Sequence, residues 1–316
     1  MKKVVVIGGG SGLATLLRGL RDYPLDITAI VTMTDDGASS GRLRKDFRLL
    51  PPGDIRKCIA ALSENETALT DLFEYRFRNG VGLAGHSLGN LLISAMKDLT
   101  GSFEQGIEEI SGLLNIKGQV LPATLDDVDL VAQFDNGKEV IGESKITSYG
   151  YKHKIVNISL TKNVATNPKA LSAIDAADVV FIGPGSLYTS IVPNFLQPKM
   201  SEAVAASPAL KVHICNASTE RGETEGFSAG DHLRVLEKYA VDFDTVLLNN
   251  HVFPEGSGDG FVAPVSLDCG DQNLYQLIYA DLVNEDNPLY HDSAKLGAEA
   301  WRIVGKARRI LRNNVI

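Results

Sequence analysis

Apolar residues fall into two spacings along this chain. Short continuous runs bounded by glycine or polar turns alternate with longer stretches in which apolar positions recur every three or four residues. Residues 4–7 are a β-branched run, the pattern of a strand covered on both faces in a parallel sheet. The run ends in Gly8-Gly9-Gly10-Ser11-Gly12, residues 13–20 then read as a helix, and residues 27–31 as a second strand. Strand, glycine turn, helix, strand is the unit that opens doubly wound folds. The same rhythm resumes late in the chain, with strands expected at 179–182, 212–215 and 245–248.

Two stretches break the rhythm. Residues 32–54 lack periodicity and are rich in Asp, Gly, Ser, Arg and Pro, so a long and functional loop is expected there. Four helical patterns follow at 55–62, 68–77, 88–99 and 103–114, which reads as a helical insertion over about 54–115. Residues 128–143 read as a hairpin turning at Asn136-Gly137, and 155–160 alternate again, giving a β-hairpin region over about 117–161. Residues 295–311 form a last helix, with Leu296, Ala300, Ile303, Ala307 and Ile310 on one face and Arg302 off it. The fold expected is α/β: a doubly wound, mostly parallel Rossmann-like sheet with helical and β-hairpin insertions, in a single nucleotide-binding domain over 1–316.

Composition narrows the partners. The chain has 316 residues, 44% apolar and 22% charged, with a formal net charge of -8 and no basic run, so nucleic acid is not an expected partner. A local amide-lined pocket for a phosphorylated small molecule is unaffected by that balance. No stretch of 18 apolar residues exists, so no membrane span is expected. The apolar run after Lys2-Lys3 is too short for a signal peptide. Cys58, Cys215 and Cys269 are far apart and odd in number, which argues against a disulfide framework and for a reducing, cytoplasmic setting. The histidines lack zinc-ligand spacing.

Four glycine- or asparagine-rich turns each follow an expected buried strand: residues 8–12, 35–41, 183–186 and 216–226. Strand C-termini of a parallel sheet share one edge, and ligands bind there. Gly9, Gly10, Ser11 and Gly12 place main-chain amides at a helix start, a site for phosphate or ribose. Leu13 stands where a strict GxGxxG needs glycine, which weakens a nicotinamide-cofactor reading. Asp35 and Asp36 could hold ribose hydroxyls or, as adjacent carboxylates, Mg²⁺. Ser39, Ser40 and Arg42 add phosphate donors. Gly183, Gly185 and Ser186 form a second anion turn; no glycine stands two residues after Ser186, so this is not a nucleophile elbow. Asp54 is a helix cap or a site acid, His86 a proton shuttle or a structural residue, and Asn90 a donor and acceptor one turn beyond it. Asn216, Thr219, Glu223 and Thr224 complete the polar set; Glu223 reads as a base, a metal ligand or a turn cap.

Taken in order, GGGSGLATLLRGL, ITAIVTMTDDGASSGRLR, LLPPGDIRKCIAALS, GHSLGNLLI, ADVVFIGPGSLYTSIVPN and CNASTERGETEGF resemble the gluconeogenesis factor (YvcK-like) family, relatives of 2-phospho-L-lactate transferase (CofD). Thr219-Glu220-Arg221 stands where that family usually has Thr-Gln-Pro. The resemblance implies a doubly wound fold that binds a UDP sugar, chiefly UDP-N-acetylglucosamine, in a regulator of cell shape and cell-wall precursor balance during gluconeogenic growth. The transferase relatives imply the alternative, a Mg²⁺-dependent transfer of phospholactate from a nucleoside-diphosphate carrier. By the same resemblance Asp54 contacts the acceptor and Arg302 helps hold the sugar nucleotide. If the cleft is catalytic, Asp54 and His86 are the candidates. The expected partners are a small-molecule nucleotide sugar and a second copy of the chain in a dimer.

Overall fold

The structure is a computed structural model that describes residues 1–64, 68–251, 261–269 and 274–313, with backbone only at 261–262 and 308–313. The chain opens with β1 (Lys2–Gly8), α1 (Gly10–Leu20) and β2 (Leu25–Val31). Five helices follow: α2 (Ala38–Phe47), α3 (Gly53–Leu62), α4 (Ala68–Glu74), α5 (Leu88–Thr100) and α6 (Phe103–Leu113). Then come β3 (Gln119–Pro122), β4 (Leu130–Phe134), β5 (Glu139–Ile141), α7 (Glu143–Gly150), β6 (Ile155–Leu160), α8 (Pro168–Asp175) and β7 (Val179–Ile182). A π-helical turn, Leu187–Ile191, runs into α9 (Val192–Phe195). The remainder is α10 (Pro198–Ala206), β8 (Leu210–Ile214), β9 (Ser218–Glu220), α11 (Ala229–Lys238), β10 (Thr245–Asn249), β11 (Phe261–Pro264), β12 (Gln276–Ala280) and α12 (Ser293–Asn313).

Seven strands form the central sheet in the order β12-β10-β8-β7-β1-β2-β3. Every pairing in it is parallel. The chain winds from β1 outward through β2 to β3, then returns to β7 on the other side of β1 and winds outward again. This is the doubly wound Rossmann-like fold expected from the alternation of strand runs and helical patterns. The strands of the centre are apolar on both faces because both faces are covered. Val4 and Val6 of β1 face one core with α1, α3 and α12, while Val5 and Ile7 face the other with the π-turn, α9 and α11. Helix α12 buries Leu296, Ala300, Ile303 and Ala307, as its spacing predicts; the Ile310 side chain lies outside the described residues. It approaches α1 so closely that a side chain at Gly19 would run into the Ser293 and Gly297 backbone.

Three sequence expectations need correction. Residues 38–47 are α2 rather than loop. Only Leu43 among its apolar residues is buried, and Ser39 and Ser40 are the other buried positions, so its inward face is polar and carries no hydrophobic period. Helix α4 ends at Glu74, three residues early, because the chain turns back there: Phe77 N–H donates to the His86 carbonyl and Leu88 N–H to that of Tyr75. Finally, β3 lies inside the stretch read as a hairpin region, yet it pairs with β2 as an edge of the main sheet. The hairpin itself, β4 with β5 turning at Asn136-Gly137, gains β6 as a third antiparallel strand.

Candidate functional site

The strand order reverses between β1 and β7, so the turns that follow these strands leave in opposite senses and open a crevice. Gly12 sets how close the two turns come. A Cβ there would lie 2.7 Å from the Pro184 carbonyl oxygen and 2.9 Å from the Gly185 nitrogen, both main chain and unable to give way. The crevice is a hollow of about 320 Å³. Gly9, Gly10, Ser11 and Gly12 line it from β1, and Gly185 and Ser186 from β7. Asn216 and Glu220 reach it from the chain after β8, Asp35, Asp54 and Lys57 from α3 and the turn after β2, and Glu143 from the start of α7. Leu289, Tyr290 and His291 close the remaining side.

The turns are held by side chains as well as by the sheet. Asp54 Oδ2 accepts from the Gly10 amide at 2.7 Å, and its Oδ1 accepts from Lys57 Nζ at 2.9 Å. Asp54 is thus a clamp on the first turn rather than the cap of its own helix, whose cap position is Pro52. Asn216 pairs with Gly185 in both directions: Oδ1 accepts from the Gly185 amide at 3.1 Å and Nδ2 donates to its carbonyl at 2.9 Å. Two amides that the sequence offered to an anion are therefore already bonded. The next amides, of Ser11 and Gly12, begin α1 and have no intrahelical acceptor. The Ser186 hydroxyl donates to Glu220 Oε1 at 2.7 Å.

Four carboxyls and one ammonium face this hollow, and burial shifts the protonation of Asp35, Glu143 and Glu220. Burial raises Asp35, with the nearby Asp54 charge adding to it. Burial raises Glu143 well above the ordinary carboxylate range, with Asp35 and Asp54 reinforcing it, and burial also raises Glu220. Burial pulls Lys57 down, but Asp54 and Asp35 outweigh it and leave it raised. Burial lowers His291 to about 4, so its ring is neutral at neutral pH, and Nε2 is buried with no partner among the described residues. A carboxyl with raised pKa can donate as well as accept a hydrogen bond, which suits sugar hydroxyls.

Several predicted residues lie elsewhere. Asp36 turns away from Asp35: its Oδ1 accepts from the Ser144 amide at 2.9 Å, while Asp35 Oδ1 accepts from the Gly37 amide at 2.8 Å. The adjacent pair does not converge as a metal site, and the carboxyl beside Asp35 in the hollow is Asp54. Ser39, His86 and Asn90 form a buried cluster between α2 and α5. The Ser39 hydroxyl lies 2.9 Å from His86 Nδ1 and accepts from Asn90 Nδ2 at 3.0 Å. Burial, and then Arg42, lower the His86 pKa, and its ring lies in this cluster and not in the lining of the hollow. Ser40 is buried and bonded to Asp35, and Arg42 donates to the Ala84 carbonyl at 2.8 Å. Gly183 lies behind Gly185 with φ +82 and does not line the hollow.

Beyond β8, Thr219 ties β9 to β11 by exchanging hydrogen bonds with Ala263, and Thr224 accepts from the Glu220 amide. Glu223 accepts from the Tyr188 amide at 3.0 Å and the Thr189 hydroxyl at 2.7 Å, so it is the cap of the π-turn. Arg302 is exposed and pairs with Glu299 one turn back on α12, away from the hollow lining. Sequence reasoning missed Lys57, Glu143, Glu220 and His291. Only Lys57 had a local signal, three residues after Asp54 on one helix face. Among the described residues, no group of three or more His, Cys, Asp or Glu side chains is arranged to hold a metal ion.

The family model described as 2-phospho-L-lactate transferase CofD matches residues 4–281, from the first strand of the sheet to the end of its last. The gluconeogenesis factor of Bacillus subtilis is 48% identical over 255 residues, covering 80% of each chain. The chain belongs to the gluconeogenesis factor family, with a CofD-like domain. A relative from a Nostoc species is 51% identical over 251 residues, which span 78% of this chain and 55% of that longer one. A crystal structure of a Bacillus halodurans protein superposes with a TM-score of 0.88 at 42% identity, covering 96% of this chain and 99% of the other. In this family member, no helix among the described residues is long and apolar enough to cross a membrane.

Proposed function

We propose that the hollow binds a nucleotide sugar of the UDP-N-acetylglucosamine type, and that the protein acts as a regulator of cell-wall precursor balance and cell shape during growth on gluconeogenic carbon. One observation carries the binding claim: the turns after β1 and β7 meet at the strand-order reversal, with Ser11 and Gly12 starting α1. In this reading the helix start and Lys57 take the diphosphate. Glu143, Glu220 and Asn216 face the hydroxyl-rich parts of the ligand. The regulatory role is carried over from the sequence resemblance, and membership of the gluconeogenesis factor family supports it. Calorimetry of the purified protein against UDP-N-acetylglucosamine, GDP and NAD, with and without Mg²⁺, tests it. Tight binding of the UDP sugar without turnover is expected, and loss of that binding in Gly185→Asp. Unaltered affinity in that variant rejects the site.

A second reading, a Mg²⁺-dependent transferase of the phospholactate type, is favoured by Asp35 and Asp54 facing the same hollow. Mg²⁺ is commonly held by one or two carboxylates with phosphate oxygens and water completing its shell. Asp35 and Asp54 would be its protein ligands, with Asp54 Oδ1 exchanging Lys57 Nζ, 2.9 Å away, for the ion. The ion would supply charge neutralisation on the diphosphate as the nucleotide leaves. Asp54 meanwhile holds the Gly10 turn, and Ser186 with Glu220 orients what enters beside it. Metal-dependent turnover that falls in Asp35→Asn and survives in Asp36→Asn is the result this reading requires.

A further inference from the structure

A second cavity, about 610 Å³, lies on the other face of the Asp35-Asp36 pair. Its walls come from α2 and from the start of α7. Five basic residues border it: Arg42, Arg44, Lys45, Arg48 and Lys145. Three acids do so too, but each is engaged. Asp127 and Asp129 pair with Arg44 at 2.6 and 3.0 Å, and Asp36 accepts from the Ser144 amide. Lys45, Arg48 and Lys145 have no hydrogen-bond or ion-pair partner among the described residues. A chain of net charge -8 that gathers unpaired cations around one hollow has placed them against its overall balance.

We propose that this cavity is an anion site, separate from the nucleotide hollow, for a small molecule carrying two or more phosphate groups. The dipole of α2 accounts for part of the charge, since Arg44 and Lys45 sit in its last turn. It does not account for Lys145. That residue is in the first turn of α7, the end of a helix where a cation is unfavourable. Arg48 lies beyond the end of α2, in the left-handed backbone region at φ 51, so its position follows from the turn and not from the helix. The cations therefore come at the cavity from two elements, which suits a ligand with anionic groups at separate ends. The volume is that of a small-molecule site. The wall between the two hollows is thin: Asp35 and Glu143 line one side, and their neighbours Asp36 and Ser144 line the other.

Inorganic pyrophosphate is a suitable probe, titrated by calorimetry into Gly185→Asp protein so that the nucleotide hollow contributes nothing. Binding is expected to persist in that variant and to weaken at least tenfold when Lys45→Glu and Arg48→Glu are added, or when Lys145→Glu is added alone. The same reversals in the otherwise wild-type chain should remove the binding event that persists in Gly185→Asp. Unchanged affinity after charge reversal, or no binding to the Gly185→Asp protein when that protein is folded by circular dichroism, overturns the site. Neither result depends on whether the main hollow takes a UDP sugar.

Discussion

The hollow at the sheet edge and the basic cavity behind it are separated by single residues, yet they are built by opposite means. The hollow is a product of main chain. Two turns are pinned where parallel strands end, Asp54 and Asn216 fasten them, and Asp35, Glu143 and Glu220 inside are held toward protonation by burial. The cavity is a product of side chains, cations from α2, the turn after it and α7, with Arg42 and Arg44 anchored and Lys45, Arg48 and Lys145 exposed. The first should be intolerant of small changes in shape and indifferent to salt. The second should tolerate changes of shape and respond to charge and ionic strength.

The sharpest way to break this contrast is Gly12→Ala. The added methyl meets the Pro184 and Gly185 backbone, so a loss of about 1–3 kcal/mol in denaturant unfolding is expected, together with loss of nucleotide-sugar binding. Stability within experimental error of wild type would show that the turns do not meet as described. Next is the pH dependence of Glu223. Burial raises it from its ordinary 4.5 to about 8, so the folded state holds the proton more tightly than the unfolded chain. Its contribution is complete below pH 4.5 and is lost as pH rises toward 8. The buried His213, His232 and His291 act in the other sense, because lowered folded pKa values favour the native state as pH rises through 6.5. The carboxyl is therefore read as the difference between wild type and Glu223→Gln. That difference should move against wild type from pH 4.5 to 8, and a flat difference contradicts the assignment.

Smaller effects sharpen the contrast. Lys57→Met leaves Asp35 and Asp54 without their cation, and a roughly tenfold loss of nucleotide-sugar affinity is expected, partly restored by Mg²⁺ in calorimetry. Lys45→Glu with Arg48→Glu should leave the unfolding free energy within about 0.5 kcal/mol of wild type, since both side chains are exposed. If those reversals destabilise the chain as much as Gly12→Ala does, the two regions are not built differently.

Much of the frame was legible in advance. The apolar runs at 4–7 and 179–182, each followed by glycines, announce strands covered on both faces and turns at their ends, and the Asn136-Gly137 hairpin follows from turn chemistry. Helix α2 was not legible, because a helix whose buried face is Leu43 with two serines has no apolar period to read. The site was half legible. The glycine turns were found, but which amides stay open was not, since Asp54 lies 44 residues from Gly10 and Asn216 lies 31 from Gly185.

What the sequence determined by itself was the alternation of elements, and with it the parallel sheet and the edge where its turns gather. That information is local: strand, turn and helix preferences are read within a few residues of one another. What only the tertiary structure decided was partnership. Asp36 turned outward to Ser144, His86 inward to Ser39, Glu223 under the π-turn, and Glu143 from the start of α7 into the hollow. Each of these depends on which polar group the folded chain brings within hydrogen-bond reach, and sequence spacing carries no record of that distance.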